Sequence, residues 1–399
     1  MALTTFAALT QPEKLTWARQ TIKMARNASF VEQYVGKDAN SIVQRVTEFS
    51  KTEKGAKAQI HLVSDLVNDG AAGDTQLWDS EEALIGSFQT IQIDQLRNAN
   101  RLSGRMNDQK MVINFREQSR DVLAYWLADR TDQAAFLTMS GMDYRLKLNG
   151  AIRTGFSYSA GAWARTAATG MSLYDLSFAS DVTAPSANRG FRWVNSTKSL
   201  APTAVASMVS GDTISYATIV ALKMLAKEKY IRGVKPQGGL DEEYVLFVGP
   251  RSMARLRMDA DFLANSRALQ TGMGDKGQLA SGRGGVLVNG VRVVESRYVF
   301  NTLGAANTAG SGEQGYPGRK WGAHGSNVDG ERLLLCGAQA LAYADLGMPN
   351  WDEQVWDYDN QVGIAVGKII GFKKPVFRTI YESGTPNEDF GLITCDVAV

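Results

Sequence analysis

Apolar and polar positions change their period along this chain, and the period marks the elements. Over residues 58–67 they alternate, with Ile60, Leu62 and Leu66 on one side and Gln59, His61 and Asp65 on the other, which is the period of a strand. Residues 88–96 alternate again, Ile91 and Ile93 opposite Thr90, Gln92 and Asp94. The connection between them, 68–85, holds Gly70 and Gly73 and is too long for a tight turn. The pattern predicts a hairpin arm reaching about 30 Å. A two-stranded ribbon of that length is marginal alone, so it should rest on a neighbour. Next, residues 105–139 contain neither Pro nor Gly. Phe115, Val122, Trp126 and Leu137, with Leu123 and Leu127 beside them, form a one-sided apolar stripe. That predicts a helix about 45 Å long, several times the usual globular length, and suited to act as the spine of a domain.

Other segments are plainer. Residues 11–26 have helical composition, with Leu15, Ile22 and Ala25 partly on one face, and 30–50 could hold a second short helix. Residues 140–212 are rich in Gly, Ser, Ala and Thr and read as an elaborated loop or a small β insertion. Residues 213–229 predict a helix with Ile214, Ala217, Val220, Ala221 and Leu225 inward, capped by Asp212 or Thr213. A short buried strand at 244–248 leads through Pro250 into a helix ending near Arg257. Residues 286–294 form a hairpin turning at Asn289-Gly290. Apolar runs at 332–346, 361–370 and 392–399 read as closing strands. The sum is an α+β chain whose distant strands return to the spine helix.

Length and composition allow this. At 399 residues the chain exceeds what one core usually fills, and 44% hydrophobic with 21% charged content supports packed domains. Charge is uneven although the net is only +2. Residues 58–96 carry seven acids (Asp65, Asp69, Asp74, Asp79, Glu81, Glu82, Asp94) and no Lys or Arg, whereas Arg97, Arg101, Arg105, Arg116 and Arg120 follow directly. An arm of one sign joined to a rod of the other suits a protein that binds copies of itself. Leu77 and Trp78, in mid-connection, are either interface anchors or tucked under their own loop.

Candidate chemistry adds little. Cys336 and Cys395 lie in separate apolar runs and read as buried thiols in a reducing compartment. The first residues have no basic stretch followed by an apolar one, so no secretory signal is expected, and no run of about 18 apolar residues suggests a membrane span. Gly272, Gly274 and Gly277 match the spacing of a dinucleotide fingerprint, but no strand precedes them and no helix follows. Gly363, Gly367 and Gly371 resemble a membrane helix-pairing repeat, but Lys368, Lys373 and Lys374 interrupt it, and closely approached strand glycines fit better. Asp352, Glu353, Asp357 and Asp359 do not have calcium-loop spacing and read as a solvated acidic loop or subunit contact. His61 and His324 are the only histidines and build neither a zinc set nor a triad. No catalytic residue, cofactor or metal is implied.

Three stretches carry a family resemblance: Gly73-Asp-Thr-Gln-Leu-Trp-Asp-Ser-Glu-Glu-Ala-Leu, Ile93-Asp-Gln-Leu-Arg, and Arg120-Asp-Val-Leu-Ala-Tyr-Trp-Leu-Ala-Asp. They resemble the major capsid proteins of tailed bacteriophages, most of all the short-tailed branch with a giant virion RNA polymerase. Tyr244-Val-Leu-Phe-Val-Gly-Pro, Leu333-Leu-Leu-Cys-Gly-Ala-Gln-Ala, Asp357-Tyr-Asp-Asn-Gln-Val-Gly and Ile369-Ile-Gly-Phe-Lys-Lys-Pro-Val-Phe agree. The resemblance implies the fold shared by tailed phages and herpesviruses. Mapped here it gives an N-terminal arm (1–57), an extended β-hairpin loop (58–103), a peripheral domain on the spine helix (104–212), an axial domain (213–345) and C-terminal strands returning to the peripheral domain (346–399). Hexamers and pentamers closing into an icosahedral shell around double-stranded DNA are implied, with assembly in the host cytoplasm and with portal and decoration proteins as partners.

Two departures shape the expectation. Only 57 residues precede the loop, which implies a separate scaffolding protein. No Lys occurs between Ala58 and Gln109, which implies a shell without loop cross-links. The expected contact residues are Leu77, Trp78, Asp79, Glu81 and Glu82 on the loop and Arg97, Arg101, Arg105, Arg116 and Arg120 on the neighbour. Two other classes stay open here: an enzyme holding a phosphate on the loop 272–285, and a tail-tube or adhesin subunit.

Overall fold

The computed structural model describes residues 29–46, 57–63, 86–110, 115–235, 242–265, 286–358, 360–378 and 387–399, apart from isolated positions within these ranges, with short pieces at 16–25, 69–74, 78 and 81–82. One sheet is organised by the long strand Gln361–Lys373. Asp94–Arg101 runs antiparallel along one edge, from Ile370 opposite Asp94 to Gly363 opposite Arg101. Ile370 also pairs with Asp345, so Leu341–Asp345 occupies the other edge, and Asn350–Trp356 continues along it. Val43–Val46 adds a parallel strand beside Leu341. The described part of the expected short helix at 30–50 holds instead a 3₁₀ turn at Val31–Tyr34 and two short strands, Val35–Gly36 and Val43–Val46. Val43 and Val46 are β-branched, and the open edge of the Leu341 strand takes up their backbone groups.

The spine helix is Phe115–Ser140, preceded by a separate short helix, Arg105–Lys110; residues 111–114, where the two were expected to be continuous, lie outside the described residues. Leu123, Ala124, Leu127 and Ala128 pack on Trp351, Ile364 and Val366 of the sheet and on Ala25 of the arm. The expected stripe is thus off by one position, since Val122 is 47% exposed. Two alanines complete the buried face, and alanine is too weakly hydrophobic to register in a periodicity. Every residue from Ala134 to Ser140 is buried, so the second half is enclosed all round rather than on one side.

The second sheet orders its strands Val286–Val288, Val291–Glu295, Tyr244–Val248, Gly330–Cys336, Leu392–Ala398, Gly190–Val194, Ser199–Pro202. Its central strands are buried on both faces. Alternation divides them between two cores. Leu246, Leu333, Leu335, Ile393 and Cys395 face the helices Tyr216–Glu228 and Pro250–Met258. Val245, Phe247, Leu334 and Cys336 face the core that encloses the end of the spine helix. The expected single run at 332–346 is two strands in different sheets, because the chain turns over 337–340, with Gln339 at φ 55°. The hairpin turn at Asn289 (φ 48°) and Gly290 (φ 76°) is the left-handed pair expected.

Ser215, not Asp212 or Thr213, caps the Tyr216–Glu228 helix through a box with Thr218; the Asp212 carboxylate accepts from Asn195 N and Val209 N instead. Val220, expected inward, is exposed, and Ile219 and Leu222 fill its place. The region 140–212 contributes a strand pair to the second sheet and a small separate hairpin, Phe156–Ser159 with Ala162–Arg165. Asp352 and Glu353 lie on a paired strand, not in a loop.

Candidate subunit interface

The predicted arm exists. Lys57–Val63 pairs with Gly86–Gln92 in an antiparallel hairpin, Lys57 opposite Gln92 and Val63 opposite Gly86. Its root is built into the first sheet. Ala58 and Ile91 are buried against Ala342 and Ala344, with Ile60, Ile93 and Val46 packed around them. Polar contacts reinforce the root: Val376 N donates to Gln89 Oε1 (3.0 Å), Lys373 Nζ to Thr90 O (2.8 Å) and Ser177 N to Asp94 Oδ2 (2.7 Å). Gln89 thus lies beside Val376 just as Asp94 lies opposite Ile370. The segment 89–101 is therefore one extended run alongside 363–376. A Cβ on Gly371 would come within 2.2 Å of Gln92 O, so glycine there permits the close crossing.

Beyond the root the surface turns outward. Phe88 is 63% and Trp78 81% exposed, so Trp78 is not tucked under its own loop. Asp69, Asp74 and Glu81 are exposed and Glu82 is half-buried. Leu77 and Asp79, and the side chain of His61, lie outside the described residues, as does the glycine-rich loop 272–285.

The five expected arginines divide into groups. Arg97 and Arg101 are exposed on the face of the first sheet that also carries Gly363 and Gly367. Arg97 lays its stem over Gly367, where a Cβ would meet Arg97 Cγ at 2.8 Å, and it has no carboxylate partner among the described residues. Arg101 stacks on Trp356, 4.7 Å from the ring centre, and donates to Gln361. Arg105 is exposed, with its backbone N donating to Asn360 Oδ1 at 3.1 Å. Arg116 and Arg120 are engaged within the chain: Arg116 Nη2 lies 2.9 Å from Glu353 Oε2, and Arg120 binds Asp121 at 2.7 Å and Gln20 at 3.0 Å. Arg116 and Arg120 thus already have partners within their own chain. Glu353 sits on a strand more than two hundred residues away, so spacing alone could not foresee its pairing with Arg116.

Sequence reasoning missed the buried charges. Asp132, in the middle of the spine helix, accepts from Ser29 Oγ (2.6 Å), Phe30 N (2.8 Å) and Val31 N (3.1 Å) and clamps the arm to the helix. Burial nevertheless pushes its carboxyl above the usual range. Arg332 holds Asp396 through two contacts at 2.6 and 2.9 Å. Lys374 holds Asp389 at 2.9 Å, and Asp345 faces both Arg45 and Lys368. Burial lowers the Lys374 ammonium and raises the Asp389 carboxyl. The signal was a charge inside an apolar run, as in Glu331-Arg332-Leu-Leu-Leu. Glu331 itself accepts from Gly249 N, and burial lifts its carboxyl to about 7. The two cysteines are buried free thiols, as expected. Among the described residues no cluster of His, Cys, Asp and Glu could hold a metal, and no helix is long and apolar enough to cross a membrane.

A sheet-rooted hairpin, a long spine helix and a second sheet between two cores together define the α+β fold of tailed-phage capsid subunits, and solved structures share it. The capsid of Ralstonia phage GP4 superposes with a TM-score of 0.66 at 24% identity, covering 93% of this chain and 91% of that one. The capsid subunit of cyanophage Pam1 gives 0.64 at 14% identity over 100% and 96%. At the sequence level, the major capsid protein of Pseudomonas phage KPP25 is 48% identical over 396 residues, 99% of this chain and 97% of that protein. The family described as phage capsid protein matches residues 5–399, and the chain belongs to it. It is a structural component of a phage capsid, as its relatives are, and not an enzyme.

Proposed function

We propose that this protein self-assembles through hexamers and pentamers into a closed icosahedral shell around double-stranded phage DNA. The observation that carries the reading is the hairpin: its root is fixed to the first sheet, while its outer part presents Trp78 and the exposed acids Asp69, Asp74 and Glu81. Exposed ion pairs contribute about 0–1 kcal/mol each. Affinity then rests on apolar anchors, charge sets register, and repetition over many subunits makes weak contacts durable. A separate scaffolding protein, a portal, a decoration protein and non-specific DNA contact complete the expected partners, with assembly in the host cytoplasm. Placement in the branch carrying a giant virion RNA polymerase rests on the motif resemblance alone.

The direct test is substitution on the loop. Trp78→Ala should fold normally yet give far fewer particles, and replacing Glu81 and Glu82 together by Lys should hinder assembly. Particle yields equal to the parent protein would remove the anchor role in the first case and the electrostatic role in the second.

A further inference from the structure

The long strand Gln361–Lys373 of the first sheet is joined to Leu392–Ala398, an inner strand of the second, by a strap whose two ends lie together. Val376–Arg378 pairs antiparallel with Asn387–Asp389, Val376 opposite Asp389, and Phe390 N donates to Pro375 O. This pairing holds Lys374 against Asp389. Lys374 Nζ stands 2.9 Å from Asp389 Oδ2, and the two side chains are only 2% and 1% exposed. Nζ also donates to Ala184 O at 3.2 Å. Ser186 N donates to Asp389 Oδ2 at 3.3 Å. Asp389 Oδ1, by contrast, is buried with no hydrogen-bond partner among the described residues, an arrangement that is costly for an ionised carboxylate. The other buried pairs differ. Arg332 holds Asp396, and a guanidinium keeps its proton. Lys368 lies 3.3 Å from Asp345, which Arg45 also holds.

We infer that Lys374 and Asp389 condense into an isopeptide bond within the chain. Burial drives both groups toward their neutral forms. One proton passes from Nζ to the carboxylate inside the pair and leaves an amine, the form of lysine that is a nucleophile. Nζ then attacks the carboxyl carbon of Asp389. Charge gathers on Oδ2, where Ser186 N stands as a donor. Oδ1, which no group holds among the described residues, leaves as water with the carboxyl proton and one amine proton. One N–C bond forms, one C–O bond breaks, and no oxidant, reductant or further reactant is required. The reaction replaces two buried charges by a neutral amide and so removes their desolvation cost. It also closes the strap at its root. A load passing between the two sheets then bypasses the residues between Arg378 and Asn387.

Mass spectrometry of the full chain, purified and then denatured, reads the bond directly. The parent protein should be lighter than its sequence by one water. Lys374→Arg keeps a cation at the site but removes the nucleophile, and that variant should show no deficit. Trypsin gives a second reading. Residues 379–399 contain no Lys or Arg, so cleavage after Lys373 and Arg378 frees 374–378 and 379–399 as two peptides from an unlinked chain. The linked chain gives one branched peptide instead. A parent mass equal to the sequence overturns the inference. So does a deficit of one water that persists in Lys374→Arg, or one accompanied by two separate peptides. Neither reading requires particles to form, so the bond stands or falls apart from the self-assembly reading.

Discussion

Asp132 shows how a single side chain sets the position of a whole segment. It stands on the spine helix, yet all three of its hydrogen bonds go to Ser29, Phe30 and Val31 of the arm. Next to it, Phe30 and Tyr34 meet Phe247 edge-to-face. Asp132→Ala should leave these buried donors without an acceptor and cost about 2–3 kcal/mol. Denaturant unfolding would measure the loss, and faster proteolytic cleavage within residues 29–46 would show that the arm had come free; unchanged stability and cleavage would contradict the clamp. Glu331 allows a prediction in pH. Its folded carboxyl is lifted to about 7 by burial, from an ordinary value of 4.5. The folded state therefore binds this proton more tightly than the unfolded state does. Stability is highest below the unfolded value and falls as pH climbs from 4.5 toward 7, by on the order of 3 kcal/mol for this group. Glu331→Gln should flatten that part of the profile, read as the change in melting temperature between pH 5 and pH 7.5. A drop equal to the parent protein's would contradict it.

At the scale of elements, the hairpin depends on its crossing over the long strand. Gly371→Val places side-chain atoms where Gln92 O now lies, so it should detach the hairpin root while both cores stay folded. Hydrogen exchange would then rise in residues 86–92 and remain slow in Leu392–Ala398; slow exchange in both would contradict the crossing. Which elements could be read in advance follows from the same physics. The arm, the spine helix and the Asn289-Gly290 turn show themselves through local periodicity and turn chemistry. Sheet partners do not, because Arg101 pairs with Gly363 and nothing in either segment names the other. Val43–Val46 was misread for that reason: its strand conformation comes from an edge formed near residue 341. The candidate interface was half legible. Exposed Trp78 and the acidic arm stood out, whereas the engagement of Arg116 by Glu353 exists only after folding.

For the whole molecule, the two sheets share one core that encloses the end of the spine helix. Subunit contacts can therefore act on one continuous body. Without a lysine between Ala58 and Gln109, a mature shell should dissolve to monomers when boiled in SDS, and a ladder of covalent oligomers would contradict a shell held by packing and charge. The central claim is self-assembly into closed shells. Electron microscopy of this protein, co-expressed with its phage's scaffolding protein, tests it most directly. Closed particles of uniform diameter are expected, with ring-shaped six-fold and five-fold units in the surface lattice; open tubes, or only dispersed single subunits, would contradict the account.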